Sequence, residues 1–310
     1  MNAFKKKSSG LPKVLVVVGP TASGKTGLAI TLAKKYNGEV VSADSRQVYT
    51  GLDIGSGKVT REEMRGVPHH LLDVADPREV YTISDFVRDG RKAIASIHKK
   101  KKVPIIAGGT FFYVDALIGT IQAPEVPPNP TLRDELNAQS TESLYTILLE
   151  QDPRRATDID PHNKRRIIRA LEVVHALGKV PKQEAKTMYD AYIIGIETNK
   201  NTLRKQIHNR LIARMNNGMI EEAKRLCQEG VPYERMDELG LEYRYLAKYL
   251  QKQLTKDELI DTLETKIAQF AKRQMTWLRH MSGVHWYACD EEAKIFETIG
   301  AFLGESVMGR

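Results

Sequence analysis

The octapeptide Gly19-Pro20-Thr21-Ala22-Ser23-Gly24-Lys25-Thr26 has the residue types and spacing of a loop that holds a di- or triphosphate. Its glycines let successive backbone N–H groups curl round an anion, and a following helix adds the positive end of its dipole. Lys25 supplies a point charge for the terminal phosphate, and the Thr26 hydroxyl is an oxygen donor for Mg²⁺. A nucleotide-hydrolysing site of this kind also needs an aspartate closing an apolar strand. The strand expected over Val103 to Ala107 runs instead into Gly108-Gly109-Thr110. The carboxylate falls at Asp44, behind the short run Glu39-Val40-Val41-Ser42-Ala43. A carboxylate there can face the phosphate pocket, although an aspartate at a strand end is also a common turn former or helix cap.

These residues need a frame to hold them. Val14 to Val18 reads as a buried strand entering the loop, and Leu28, Ala29, Leu32, Ala33 and Tyr36 follow it at helical spacing. A further helix is expected from about Ser84, through Phe86, Val87, Ala93, Ile94 and Ile97, ahead of the Val103 strand. Strands alternating with helices predict an α/β fold: a P-loop NTPase-like core whose parallel sheet is covered by helices on both faces. Ligands of such sheets gather beyond the carboxyl ends of the strands, where Gly19, Asp44 and Gly108 would all lie.

The composition changes at Ala123 to Pro130, where four prolines in seven residues break any regular element. Helical patterns follow over Leu132 to Ala138, Glu142 to Glu150 and Asn163 to Leu177, the last closed by Gly178. The run Tyr192 to Ile196 then reads as a strand rejoining the sheet. The expected organisation is a discontinuous core, residues 1–120 and 189–310, interrupted by an inserted helical domain over 121–188. The C-terminal third is mostly helix. Thr255-Lys-Asp-Glu258 has capping-box spacing, and Leu259, Leu263, Ile267, Phe270, Trp277 and Leu278 form a stripe expected to face the core.

Charge and cysteine usage narrow the class. With 47 Lys+Arg against 39 Asp+Glu the chain carries +8, which favours a polyanionic partner. Cys227 and Cys289 have no metal-ligand spacing and build no disulfide framework. Each reads as a small buried apolar residue. No apolar run has the length of a membrane span, and no signal core follows the basic first ten residues. The expectation is a cytoplasmic monomer, with no membrane partner and a short disordered leader.

Seven blocks in order carry a resemblance. Gly19 to Thr26, Ser42-Ala-Asp-Ser-Arg-Gln-Val-Tyr49, Asp53-Ile-Gly55, Val67-Pro-His-His-Leu-Leu-Asp73, Ile106-Ala-Gly-Gly-Thr110, Arg165-Arg-x-x-Arg-Ala-Leu-Glu172 and Ala271-Lys-Arg-Gln-Met-Thr-Trp277 together resemble bacterial tRNA dimethylallyltransferases. The resemblance spans about residues 13–280. It implies transfer of a dimethylallyl group from dimethylallyl diphosphate to N6 of adenosine 37, beside the tRNA anticodon. The loop Gly19, Pro20, Thr21, Ala22, Ser23, Gly24, Lys25 and Thr26 would then cradle that diphosphate rather than ATP, with Mg²⁺ on Thr26. By the same resemblance Asp44 is the general base for the adenine amino group, with Lys25 and Thr26 as its partners in catalysis. Aspartate is ordinarily ionised at neutral pH and so is ready to accept a proton. Asp44, Ser45, Arg46 and Gln47 would lie on the RNA, with Gln47 reading the adenine edge. Thr110 and Arg133 would also touch substrate, and Arg165, Arg166 and Arg169 would grip the anticodon stem. The base must leave its stack to meet the donor.

One departure and several rivals stand beside this reading. Where the family offers arginines in Arg-x-x-Leu-x-x-Arg-Ile, this chain has Lys200-Asn-Thr-Leu-Arg-Lys-Gln206-Ile207, which leaves Arg204 or Arg210 to supply the cation. Transfer to free adenine nucleotides is the nearest rival, since that related family shares the P-loop and the Asp-x-x-Gln-Val-Tyr block. The basic Arg165 helix and the long insertion favour RNA. A kinase or NTPase lacks its expected strand-end acid, and a non-catalytic RNA-binding module has no need of Lys25, Thr26 and Asp44 together. His69 and His70, as sequence neighbours on an extended segment, are expected to be structural. Lys99 to Lys102 reads as a solvated turn.

Overall fold

The computed structural model describes residues 10–121, 124, 126–182, 185–288 and 290–304. The leader (residues 1–9) and Cys289 lie outside the described residues. Six strands form one sheet in the order β3-β2-β4-β1-β5-β6, and every pairing is parallel. They are β1 (Lys13–Val18), β2 (Gly38–Ser42), β3 (His69–His70), β4 (Val103–Gly108), β5 (Asp190–Glu197) and β6 (Val284–Ala288). The helices between them are α1 (Lys25–Lys35), α2 (Arg61–Met64), α3 (Ile83–Lys99) and α4 (Phe111–Ile118). Next come α5 (Pro130–Asn137), α6 (Thr141–Gln151), α7 (Pro153–Thr157) and α8 (Lys164–Leu177). After β5 follow α9 (Lys200–Asn216), α10 (Met219–Gln228), α11 (Tyr233–Glu238), α12 (Leu241–Leu250), α13 (Lys256–His280) and α14 (Glu292–Leu303).

Alternate residues of each strand point to opposite faces, and both faces are covered. Val14, Val16 and Val18 of β1 pack with Phe86, Ile94 and Ile97 of α3 and with Val114 and Leu117 of α4. Leu15 and Val17 pack on the other side with Ala29, Leu32 and Ala33 of α1 and with Ile295 and Ile299 of α14. A strand buried on both faces reads as a continuous apolar run, which is why Val14 to Val18 shows no alternation. A separate core gathers α9 to α13 around Tyr243, Leu246, Leu259 and Leu263, with Val48 and Leu52 from the segment after β2.

The chain divides into two compact units, one of residues up to Thr120 and from Thr187 onward, the other Ile121–Lys186. The smaller unit has its own core, built on Leu144, Leu148, Ile167, Leu171 and Val174. Its helices start on side-chain caps: Asn129, Ser140, Asp152 and Asn163 each accept a first-turn N–H.

Four details differ from the sequence expectation. β6 is a strand inside the mostly helical C-terminal third. Its signal is the short β-branched and aromatic run Val284-His-Trp-Tyr287, and it pairs with β5 at the sheet edge. The α13 stripe divides: Leu259, Leu263, Ile267 and Leu278 are buried, but Phe270 and Trp277 are 40% and 41% exposed. At 100° per residue these two lie round the helix from the buried line. Cys227 is only half-buried, on the rim of the α9–α13 core.

Finally, the lysine run is an exposed turn as expected, but two of its lysines are also paired. Lys100 and Lys102 bind Glu39 of β2, at 3.0 and 2.9 Å, and His70 meets the same carboxylate at 2.8 Å. Glu39 is 1% exposed, and a buried carboxylate requires such partners. Burial alone would raise its pKa, but the hydrogen bonds from Lys102, His70 and Lys100 outweigh that and pull it down to about 2. A depressed carboxylate stabilises the fold above its unfolded pKa, and that contribution is lost as pH falls through the folded value. Stability should therefore drop between about pH 4.5 and 2 by about 2 kcal/mol, allowing for screening at the half-exposed lysines. Glu39→Gln should remove most of this acid-sensitive step in denaturant titrations, and an unchanged step would reassign it.

Candidate active site

Because the sheet is parallel, its carboxyl edge collects the loops after β1, β2 and β4. Register places Val18 opposite Gly108 and Ser42 opposite Ala107, so Gly19, Ala43 and Gly109 leave the sheet side by side. Ala43 N–H donates to the Ala107 carbonyl and Thr110 N–H to the Ala43 carbonyl, which extends the contact beyond the strands. A Cβ at Gly108 would stand 2.1 Å from the Ala43 carbonyl oxygen, so only glycine permits this approach.

The phosphate loop is shaped by a Ser23 N–H to Pro20 carbonyl bond and by left-handed backbone at Ala22 (φ 63°) and Gly24 (φ 84°). Gly24 precedes α1 and provides no side-chain cap, so the first-turn amides are left for an anion. Thr26 is exposed in that turn. Ser23 is buried and its hydroxyl has no partner. A Cβ at Gly19 would sit 2.5 Å from that oxygen.

Lys25 is half-buried, and its amine rests on the Pro20 carbonyl at 3.2 Å. Burial, and then the like charge of Arg210, lower its pKa to about 8 against the opposing pull of Asp44. Arg210 of α9 keeps contact with solvent while its guanidinium donates to the Gly57 carbonyl at 2.9 Å. The protein mass round it, and then Arg214, hold its pKa below the usual range. Of the two arginines weighed for the missing family cation, Arg210 stands in the field of Lys25 and Asp44. Arg204 is exposed on α9.

Asp44 stands two residues beyond the end of β2. Its Oδ1 accepts the N–H groups of Arg46, at 2.8 Å, and Gln47, at 3.4 Å, forming the turn that carries the segment into Tyr49. The turn is braced from β4. Thr110, at the start of α4, does not cap that helix. Its Oγ1 accepts the Ser45 N–H at 3.1 Å and donates to Ser45 Oγ at 3.3 Å. Gln47 donates to the Gly57 carbonyl and accepts from Ser42 Oγ, each near the long limit at 3.3 and 3.4 Å. Arg46 lies across the backbone of Gly240 (φ 129°), where a Cβ would meet its Nε at 2.7 Å.

Two further polar residues hold these loops, and neither has a role that sequence reasoning assigns. Gln274 of α13 is buried, accepts the Thr21 N–H at 2.8 Å and donates to the Gly109 carbonyl at 2.9 Å. Its sequence signal is no more than membership of the Ala271 to Trp277 block. Glu222 of α10 is also buried. It accepts the N–H groups of Asp53, Ile54 and Gly55 and the Tyr243 hydroxyl, all within 3.0 Å. It fastens the Asp53-Ile-Gly55 block from far away in sequence, where no local pattern announces it.

In the smaller unit, Arg165 and Arg166 are exposed on α8. Arg133 and Arg169 converge on Glu172, at 2.9 and 2.6 Å, and Arg169 also donates to the Val126 carbonyl. Glu172 is 1% exposed, so these two arginines neutralise a buried carboxylate. Among the described residues no cluster of three or more His, Cys, Asp or Glu can cage a cation. Thr26 contributes one hard oxygen, which fits an ion such as Mg²⁺ that takes its remaining ligands from phosphate and water. No helix among the described residues is long and apolar enough to cross a membrane.

The model of the IPP transferase family matches residues 47–281 of this chain. The chain belongs to the IPP transferase family. A tRNA dimethylallyltransferase from Shouchella clausii is 39% identical over 301 residues, covering 94% of this chain and 96% of the relative. One from Thermomicrobium roseum is 41% identical over 282 residues, covering 88% and 85%. The full-length tRNA isopentenylpyrophosphate transferase structure from Bacillus halodurans superposes with a TM-score of 0.71 at 37% identity, covering 94% of this chain and 96% of that one. A eukaryotic dimethylallyltransferase captured acting on tRNA superposes at 0.80 with 26% identity, covering 96% and 80%.

Proposed function

We infer that this IPP transferase family member transfers a dimethylallyl group from dimethylallyl diphosphate to N6 of adenosine 37 of tRNA. One observation carries the catalytic assignment: Gly19, Ala43 and Gly109 leave the sheet side by side, which sets the uncapped phosphate loop with Lys25 beside the turn that holds Asp44. Two cations and an anion-binding helix start suit a leaving diphosphate, and one carboxylate suits a nitrogen that must lose a proton.

In the proposed step N6 attacks C1 of the allyl group as the C1–O bond breaks, and the bonding pair leaves with the diphosphate. The adenine lone pair is delocalised into the ring, so N6 becomes an effective nucleophile only as its proton departs. Asp44 takes that proton. Its Oδ1 is engaged by the Arg46 and Gln47 amides, so Oδ2 is the oxygen assigned to the base. The loop amides, Lys25 and Arg210 stabilise the charge gathering on the diphosphate, and preorganised donors of this sort are worth roughly 3 to 4 kcal/mol each. Mg²⁺ on Thr26 would neutralise diphosphate charge. Ser45, Arg46, Gln47 and Thr110 are assigned to the adenosine side, with Gln47 on the base edge. Arg165, Arg166 and Arg169 are assigned to the anticodon stem and Arg133 to substrate, with Arg133 and Arg169 held in place by Glu172 while still part-exposed. The protein is proposed to act as a cytoplasmic monomer.

The deciding experiment offers labelled dimethylallyl diphosphate and Mg²⁺ to unmodified tRNA beside AMP. Label in tRNA alone supports the reading, and label in AMP moves the chain to the nucleotide-modifying relatives. Arg165→Ala with Arg166→Ala should weaken tRNA binding and reduce the slope of log K against log salt by about 0.9 for each phosphate that is no longer neutralised. An unchanged slope in filter-binding titrations would remove these arginines from the interface.

A further inference from the structure

Three large rings stand exposed together on the core unit, none of them used by the site already described. Phe270 and Trp277 project from one edge of α13, and Phe112 from the first turn of α4. They are 40%, 41% and 43% exposed. Phe112 meets Trp277 edge-on at 6.5 Å between centroids. Trp277 is fixed in place because its indole N–H donates to Asp115 Oδ2 at 3.2 Å, which leaves the ring itself facing outward with its one donor satisfied. Arg273, also exposed, lies 5.8 Å from the Phe270 ring centre.

Position decides what this ledge is for. Phe270, Arg273, Gln274 and Trp277 have i, i+3, i+4, i+7 spacing and therefore share one edge of α13. Gln274 reaches in from that edge to the phosphate loop and the Gly109 turn, while Phe112 follows Thr110 by two residues. The ledge thus borders the loops of the candidate site. Clustered exposed rings mark a binding surface, and rings interleaved with an arginine suit the π-faces of unpaired bases, with the guanidinium near phosphate. A protein partner would be expected to use flanking acidic groups or a larger apolar area. Here the carboxylate within the ledge, Asp115, is turned to the indole and to the Thr120 hydroxyl.

We propose that Phe112, Phe270 and Trp277, with Arg273, form a stacking ledge for an unpaired base of the tRNA anticodon loop next to the one being modified. This rests on the tRNA reading above. The ledge positions RNA and takes no part in bond making, so it acts on tRNA affinity and leaves donor affinity alone.

The test measures binding of an anticodon stem-loop RNA and of dimethylallyl diphosphate to the wild type and to Phe112→Ala/Phe270→Ala. Both positions are exposed, so the variant should keep its thermal midpoint. The expected result is roughly a tenfold loss of RNA affinity per ring removed, a matching rise in KM for tRNA, and unchanged donor affinity. In a Trp286→Phe background, where Trp277 is the sole tryptophan, the stem-loop should quench the indole emission. A blunt duplex of the same stem should not. Unchanged RNA affinity in a double variant of a tRNA-modifying wild type overturns the ledge alone. A wild type that labels no tRNA overturns the function reading and the ledge with it. A dimer lost in sedimentation of the double variant would assign the rings to a second copy of the chain, and so also overturns the proposal.

Discussion

Asp44→Asn lowers the rate of dimethylallyl transfer roughly a thousandfold, within the range for loss of a general base, and leaves tRNA affinity and thermal stability near wild type. Asparagine is the informative substitution because the proposed mechanism gives Asp44 two jobs. Its Oδ1 holds the Arg46 and Gln47 amides, and the asparagine carbonyl can still accept both. What asparagine cannot do is take the N6 proton. Asp44→Ala removes both functions and should add a stability loss of roughly 1 kcal/mol for the missing turn bonds. Single-turnover transfer, filter binding and thermal melts on the two variants separate the roles. An Asp44→Asn enzyme within tenfold of wild type would leave Asp44 as a turn former only.

Lys25→Met should cost roughly a hundred- to a thousandfold in turnover, the usual loss for one preorganised donor at a developing anion. The pH dependence of Lys25 gives a sharper check. Burial and the neighbouring Arg210 bring its pKa down to about 8 in the free protein, and a bound diphosphate favours the ammonium form. Below pH 8 the amine is already protonated and donor affinity is flat. As pH rises through 8, binding must take up a proton, so affinity falls by up to tenfold per pH unit. Lys25→Arg keeps its charge throughout and should abolish this slope. Calorimetric titration of dimethylallyl diphosphate from pH 7 to 9.5 measures both. A flat wild-type profile would show that the Lys25 amine stays charged across this range.

The parts of this protein that sequence makes legible are those whose cause is local. Gly19 to Thr26 lies between an apolar strand and a helical repeat, so motif and context agree over a short window. Thr255 and Glu258 form their capping box because cap and partner are three residues apart. The prolines from Pro124 to Pro130 mark a change of composition that needs no tertiary information to see. What stays hidden depends on distant partners. Lys100 and Lys102 look like a solvated run until β2 brings Glu39 between them, 61 and 63 residues away in sequence. Arg133 gives no sign in the sequence of its pairing with Glu172, 39 residues away. Phe270 and Trp277 fit a helical apolar pattern, and only the packing of α13 turns them outward.

Gln274 joins two loops through a single side chain, its oxygen on the Thr21 amide and its nitrogen on the Gly109 carbonyl. It is therefore a gauge of fixed length between the loop assigned to the donor and the turn that braces the acceptor side. Asparagine would shorten the gauge by one carbon–carbon bond, about 1.5 Å, and glutamate would keep the length but lose the amide donor. A chain with such a gauge cannot adjust the two halves of its site independently at this position. A change at Gln274 should therefore disturb the Thr21 loop and the Gly109 turn together rather than either one alone.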